Sequence, residues 1–331
     1  MKRRIVEWIV VLSVLGGIGY FLQVGNLPIV DGKDELIIVS DLPEPVLRKL
    51  LLETKGSPKV IALPPEQISQ WETLIGNQKP DLFVGSQTFL LWASRQQYLQ
   101  PLRTEERALT PINAQDNLGR WLAIWVDPWV VIYNPERMPQ GVQKSDLTWL
   151  RKPGTPQFRW VFPDIGSPEN NSSNLQFYRI LANHMGQETF YNSLQSFRPE
   201  IQQYVENSAH GVRMVLLGQV DFSLARYSDW VNYKRDKLPV DWTEMEFSPA
   251  TYYGAGIGRE TKKWEEANSK VAFWLNPSAE WDKKVELPWL SMKDRPKESL
   301  FGVGGLRDLE DQGFFDAWLA QFRFGTPRKE L

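Results

Sequence analysis

The feature that most limits the possible folds is a repeated alternation of short apolar segments with helical segments. Residues 35–40 (ELIIVS), 59–62 (KVIA) and 81–84 (DLFV) predict strands, because each is a brief apolar run bounded by polar or turn-forming residues. Residues 42–53 predict the first of the helices between them. Short strands that alternate with helices of about ten residues are typical of βαβ units, and therefore of an α/β fold with mainly parallel sheets.

The same alternation returns in a second part of the chain. Residues 159–162 and 220–224 predict strands, and residues 174–185 predict a helix between them. A capping box that begins at Ser173 starts this helix, and Gly186 ends it. The chain therefore contains two α/β parts.

Two extended segments, 121–125 and 129–133, join the two parts. Because proline has no backbone N–H to donate, we expect a break at Asp127-Pro128 between these segments. Residues 251–257 predict a further strand that returns the chain to the first part. The two parts are thus connected twice.

The composition excludes several classes of protein. A length of 331 residues suggests about two domains. The 38 basic and 40 acidic residues give a net charge of −2, which argues against a nucleic-acid partner bound through a general phosphate-binding surface. The absence of cysteine excludes disulfides, thiolate metal sites and a cysteine nucleophile.

The amino terminus predicts a segment that enters or crosses a membrane. Basic residues 2–4 precede a mostly apolar run at 5–24, which at about 20 residues is long enough to span a bilayer as a helix. No basic residue follows until Lys33, so the charge bias places the bulk of the chain outside the cytoplasm. Residues 17–19 (GIG) are a poor cleavage site, so we favour an uncleaved anchor over a cleaved signal peptide at 1–25.

Five motifs, in order along the chain, resemble those of type II periplasmic solute-binding proteins, most closely the branch that includes ferric-iron and other small-ion binding proteins. The motifs are D-L-F-V at 81–84 with Y-L-Q-P-L at 98–102, G-R-W through V-I-Y-N at 119–134, G-Q-V-D at 218–221, the return strand T-Y-Y-G-A-G-I at 251–257, and the helix that leads to N-P-S-A-E at 276–280.

This resemblance implies two α/β lobes, each a mainly parallel sheet flanked by helices, with a ligand held in the cleft between them. It places one lobe at 33–126 with 245–331 and the other at 127–244. It also implies a non-enzymatic function, the delivery of a small molecule or ion to the permease subunits of an ABC-type importer. Neither a cofactor, a catalytic residue nor a bound metal is expected, and an anion is one candidate ligand.

The loops that follow the first-lobe strands are candidate ligand sites, because ligands of open parallel sheets bind beyond the carboxyl ends of the strands. Ser40 and Asp41 follow the first strand, although they also suit a simple helix cap. Gly85, Ser86 and Gln87 follow the third strand, where glycine admits a close approach and a helix amino terminus favours an anion. A turn with a cap is the alternative there too.

The second lobe offers a polar loop that ends in Asn171, Ser172 and Ser173 at the start of a helix, a favourable place for a carboxylate or phosphate. The alternative is an exposed loop with a good cap. Ser208 is a weaker case of the same arrangement, at the start of a predicted helix at 211–217.

Arg226, Tyr227 and Trp125 complete the candidate ligand residues. Arg226 and Tyr227 follow the strand at 220–224, and arginine pairs with anions in bidentate fashion, although a surface salt bridge is equally consistent. Trp125 lies beside the predicted break, where an indole face could contact a solute or could pack in the core.

The tyrosine pattern disfavours ferric iron. Ferric-iron binders of the resembled family carry adjacent tyrosines after this strand, but the aligned residues here are Ser228-Asp229. The tandem Tyr252-Tyr253 lies in a predicted strand, where neighbouring side chains point to opposite faces.

Two other functions remain open from the sequence. A membrane-anchored sensor or scaffold with a binding-protein fold is favoured by the predicted anchor. A secreted carbohydrate-active enzyme would need paired carboxylates at a cleft, and no motif in the sequence pairs them.

Overall fold

The computed structural model describes residues 35–52, 58–108, 110–111, 114–138, 158–164, 173–245, 247–292 and 300–301. The predicted signal peptide or anchor at 1–25 lies outside these residues. In the described part of the chain, no helix combines the length and the apolar character that a membrane span requires.

The described elements alternate between strand and helix along most of the chain. The strands are β1 Ile37–Ser40, β2 Lys59–Ala62, β3 Leu82–Ser86, β4 Leu99–Gln100, β5 Trp121–Tyr133, β6 Trp160–Pro163, β7 Ile201–Val205, β8 Phe222–Arg226, β9 Asp241–Glu244, β10 Ser248–Gly258, β11 Leu290–Ser291 and β12 Leu300–Phe301. The α-helices are α1 Glu44–Leu50, α2 Trp71–Ile75, α3 Gln87–Arg95, α4 Thr104–Ala108, α5 Ser173–Met185, α6 Gln187–Phe197, α7 Ser208–Leu216, α8 Tyr227–Arg235, α9 Trp264–Leu275 and α10 Ala279–Val285; 3₁₀ turns occupy Pro65–Gln70 and Arg198–Glu200.

The strands hydrogen-bond in the order β2-β1-β3-β10-β5-β8-β6-β7. We call β1, β2 and β3, which pair in parallel, the first sheet. We call β6, β7 and β8, which also pair in parallel, the second sheet. The antiparallel pair of β5 and β10 lies between the two sheets. The prediction of an α/β fold with parallel strands is therefore confirmed.

One local prediction is wrong, because residues 121–133 form one continuous strand and not two segments. Every residue of β5 is buried. The strand changes partner along its length: Pro128 still pairs with Ala250 of β10, and Trp129 already pairs with Arg226 of β8. Pro128 thus marks the switch from one sheet to the other, a place where a missing backbone donor is tolerated.

Each sheet has an equivalent hydrogen bond to an aspartate at the start of its strands. Asp81, just before β3, accepts a hydrogen bond of 2.8 Å from the backbone N–H of Ile37 at the start of β1. Asp221, just before β8, accepts one of 2.9 Å from the N–H of Arg159, just before β6. In each sheet an aspartate that immediately precedes one strand thus binds the backbone at the start of the neighbouring parallel strand. The two sheets are equivalent in this respect.

The helices cover both sheets with aromatic-rich cores. In the second sheet Trp160 stacks on Phe222, with ring centroids 4.7 Å apart, and α5 and α6 pack over them. Gly186 ends α5 as predicted, with φ at 81°, but α6 begins directly after it. The sequence analysis missed α6, because a C-cap glycine signals the end of one helix and carries no information on the next.

The central pairing can be tested at Gly254, which lies beside a β-bulge in β10. A Cβ at this position would lie 2.0 Å from the carbonyl oxygen of Leu122 in β5. We expect Gly254→Ala to lower the free energy of unfolding by about 1–3 kcal/mol, as overpacking does. Urea denaturation measures this. The control is Leu217→Ala, at an exposed side chain, which should cost less than about 0.5 kcal/mol; equal effects of the two would contradict the prediction.

Candidate functional site

The carboxyl ends of both sheets meet the middle of the β5–β10 pair. Ser86, the last residue of β3, pairs with Tyr253 of β10. Arg226, the last residue of β8, pairs with Trp129 of β5. Because β5 and β10 also pair with each other over this stretch, the loops that leave the two sheets open toward the same short length of backbone.

The first polar contact joins two predicted ligand residues, Asp41 and Ser86. The Asp41 carboxylate accepts a hydrogen bond of 2.8 Å from the Ser86 N–H and a second, short one from the Ser86 hydroxyl. The same hydroxyl caps α3 by accepting from the N–H of Phe89. Gly85 makes this possible, since a Cβ there would lie 2.0 Å from Asp41 Oδ1. The amino terminus of α3 therefore holds an internal carboxylate.

The second contact repeats this pattern between β5 and α8. The Asp127 carboxylate accepts hydrogen bonds from the Ser228 N–H at 2.9 Å and from the Ser228 hydroxyl at 2.7 Å. Ser228 lies in the first turn of α8. The sequence analysis interpreted Asp127 only as part of a break, although a carboxylate inside an apolar strand signals a buried polar contact.

The third contact joins the amino termini of α7 and α8. The hydroxyl of Ser208 donates a short hydrogen bond to the Asp229 carboxylate. Arg226 Nε lies 3.6 Å from the same carboxylate oxygen. Ser208 and Asp229 are both buried. Helix α7 begins at Ser208 itself, three residues before the predicted start at 211, and a role for Ser208 in ligand binding stays a prediction.

The Tyr253 hydroxyl lies close enough to all three contacts for their charged groups to act on it. Asp127, Arg226, Asp41 and Asp229 all act on its hydroxyl electrostatically; burial raises its pKa first and Asp127 raises it further, so the phenol stays neutral at ordinary pH. Its ring stacks on Trp289 with centroids 3.9 Å apart and planes 12° from parallel.

Burial raises the pKa of two carboxyls at this site. The pKa of Asp41 rises to about 6, although the hydrogen bonds from Ser86 oppose the change. The pKa of Asp127 also rises to about 6; Arg226 and Ser228 oppose the change and Asp229 reinforces it. Both carboxylates thus bear a desolvation cost that their hydrogen bonds only partly offset.

The other predicted first-lobe residues have structural contacts. Ser40 is buried, and its hydroxyl accepts a hydrogen bond of 3.1 Å from the Leu42 N–H, which is a local turn. Gln87 is buried in the first turn of α3. Trp125 packs in the core of the first sheet, where its ring lies 5.9 Å from that of Trp274.

The other second-lobe residues are placed as follows. Tyr227 packs on the rings of Trp230 and Trp242, with centroids 5.2 Å away in each case. Asn171 and Ser172 lie outside the described residues, and Ser173 begins α5.

The tandem tyrosines face opposite sides of β10, as predicted. Tyr252 is fully buried in an apolar cluster with Ala123 and Val126. Tyr253 instead packs against the core of the first sheet, and the carboxylates of Asp41, Asp127 and Asp229 act on its hydroxyl electrostatically. In the described part of the chain, no three His, Cys, Asp or Glu side chains form a group that could hold a metal ion.

The raised pKa values make the stability depend on pH. Asp41 and Asp127 have a folded pKa of about 6 against an ordinary value of 3.8, so the folded state holds their protons more tightly. The resulting contribution to the free energy of unfolding is complete below about pH 4 and is lost as the pH rises through about 6. It amounts to at most about 3 kcal/mol per carboxyl. We expect urea denaturation to show a falling free energy of unfolding from about pH 5 to pH 7.

Two variants test whether Asp41 and Asp127 cause this pH dependence. Asp41→Asn and Asp127→Asn keep the side-chain shape and remove the titrating group, so each should flatten the profile. Glu260→Gln is the control, because Lys79 lowers the pKa of Glu260 and it titrates below this range. A flat wild-type profile, or variants that keep the full slope, would show that these carboxyls are not the source.

Solved structures similar to this chain are periplasmic binding proteins. Iron-bound HitA from Pseudomonas aeruginosa is 19% identical, with a TM-score of 0.60 over 86% of this chain and 99% of that one. The Bordetella ferric binding protein is 11% identical, with a TM-score of 0.66 over 88% and 100%. AfuA from Actinobacillus pleuropneumoniae, with exogenous fructose-6-phosphate bound, is 15% identical, with a TM-score of 0.54 over 82% and 89%.

Comparisons by sequence add no relative. No protein-family model matches the chain, and no curated protein matches it. The structural likeness extends over most of the chain and confirms the fold that the motifs predicted. The chain therefore has the fold of the periplasmic binding proteins, and the similar structures include iron-binding ones.

Proposed function

We propose that this chain is the extracytoplasmic solute-binding component of an ABC-type importer. The observation that carries the proposal is the convergence of strand-exit loops from both sheets on Tyr253 and its neighbours. Ligands of open α/β sheets bind at such carboxyl-end crevices. The likeness to HitA and AfuA, whose structures hold iron and a sugar phosphate, supports a binding role over a catalytic one.

The mechanism would be closure of two lobes about the crossover strands. We assign residues 33–126 and 245–331 to one lobe and 127–244 to the other. The partner switch of β5, between Pro128 and Trp129, supports a boundary close to Asp127. A solute that contacts both lobes favours the closed state by its difference in affinity for the two states.

The ligand residues that we propose come from both lobes. Asp41 and Ser86 belong to the first, and Ser208 and Arg226 to the second. Their contacts add four residues that the sequence analysis did not select. These residues are Asp127, Ser228, Asp229 and Tyr253. Asn171, Ser172 and Ser173 stay a prediction for the loop before α5.

The proposed location is outside the cytoplasmic membrane, with residues 1–25 as the anchor and permease subunits as the partners. The basic residues at 2–4 and the apolar run that follows support this orientation. The extracytoplasmic character of the similar structures supports it as well.

Solute binding should raise the melting temperature of the full chain, purified in a mild detergent and followed by tryptophan fluorescence. A ligand at a hundredfold excess over its Kd stabilises the folded state by about 2.7 kcal/mol. A panel of sugars, amines, oxyanions and ferric citrate serves as the probe. Tyr253→Phe removes one hydroxyl at the site and should reduce the shift, while Tyr191→Phe on α6 should preserve it. No shift with any compound, or equal shifts in both variants, would refute the proposal.

A further inference from the structure

We infer that the solute is a small organic cation, an amine or a guanidine, and not an oxyanion or a ferric ion. This inference rests on the proposed function, because it names the chemical class of the solute for the same cleft. It follows from which groups already occupy the positions that would recognise an anion.

Two of the helix amino termini at the site, those of α3 and α8, are occupied by carboxylates of the protein itself. Asp41 accepts hydrogen bonds from the N–H and the hydroxyl of Ser86 at the start of α3. Asp127 accepts hydrogen bonds from the N–H and the hydroxyl of Ser228 at the start of α8. Such termini are the places where a phosphate or carboxylate would otherwise bind. An oxyanion would have to displace a buried carboxylate that is tied to the backbone, or bind beside it and be repelled.

The charges around Tyr253 are mainly negative. Asp41, Asp127 and Asp229 act on its hydroxyl together with a single cation, Arg226. Arg226 is already paired with Asp229 at 3.6 Å. Three carboxylates and one guanidinium leave a net negative charge among these described residues. A bound cation would supply the balance.

The aromatic surroundings favour an organic cation over a metal ion. The stacked pair of Tyr253 and Trp289 lies beside the carboxylates, and both residues are partly exposed. Aromatic rings attract ammonium and guanidinium groups and bury their carbon skeletons. A ferric ion would instead require several anionic oxygens grouped around it, and in the described part of the chain no three His, Cys, Asp or Glu side chains form a group that could hold a metal ion.

Titration calorimetry on the full chain at neutral pH tests the inference. The cationic probes are 1,4-diaminobutane, L-arginine and tetramethylammonium, and the competing probes are inorganic phosphate, fructose 6-phosphate and ferric citrate. Binding of a cationic probe, with the anions and iron weaker by about tenfold or more, is the expected result. Tighter binding of an anion or of iron overturns the inference and leaves the proposed function intact. Binding of neutral sugars alone does the same.

Charge-removing variants locate the effect. Asp127→Asn and Asp41→Asn should each weaken binding of the cationic probe by about tenfold, because the side-chain shape stays and a nearby charge is lost. Glu260→Gln, which removes an exposed carboxylate paired with Lys79, should change it by less than about twofold. Undiminished binding in both Asn variants would overturn the inference.

A second measurement covers the case in which a variant does not fold. Protons and the bound cation compete for the Asp41 and Asp127 carboxylates; the charged neighbours of Asp127 are Arg226 and Asp229, and Asp41 is held by Ser86. The affinity of the wild-type chain for the cationic probe should therefore fall by about tenfold as the pH is lowered from about 7.5 to 5. An affinity that is constant or that rises over this range contradicts the inference.

Discussion

The pairing of β5 with β10 is the constraint on which the rest of the structure depends. The first sheet is attached to the pair through β3 on β10, and the second through β8 on β5. Because β3 and β8 run into this pair from opposite sides, their carboxyl ends must open toward the same backbone. The position of the proposed ligand site is therefore a consequence of strand order, before any polar side chain is considered.

Buried carboxylates are costly, and this chain places Asp41, Asp127 and Asp229 near the carboxyl ends of its two sheets. Asp127 lies in a strand whose every residue is buried, where an apolar residue would be more stable in isolation. Its hydrogen bonds to Ser228 offset part of that cost. Asp41 and Ser86 solve the same problem in the same way at the other sheet. A repeated and costly arrangement at the carboxyl ends of both sheets favours a role in recognition.

The sequence predicted the elements well where local patterns define them. β2 has the predicted bounds of 59–62, and α5 differs by one residue at its start. Of the site, the analysis selected Asp41 and Ser86 separately, because both follow strands. It did not find Asp127 and Ser228, which lie 101 residues apart and meet only through the switch of β5 between sheets. Contacts between residues so far apart in the chain cannot be predicted from the hydrophobic periodicity or the motif spacing of the sequence.

The fold alone does not determine the charge of the solute. Parallel sheets followed by helices place positive helix ends at the cleft in any protein of this architecture. Whether those ends remain open to an anion depends on single positions, such as the glycine at 85 that lets Asp41 reach Ser86. With a larger residue at 85, or without a carboxylate at 41 and 127, the same backbone would present open anion sites. The specificity that we propose thus depends on a few side chains, because a backbone similar to those of iron and sugar-phosphate binders does not determine the solute.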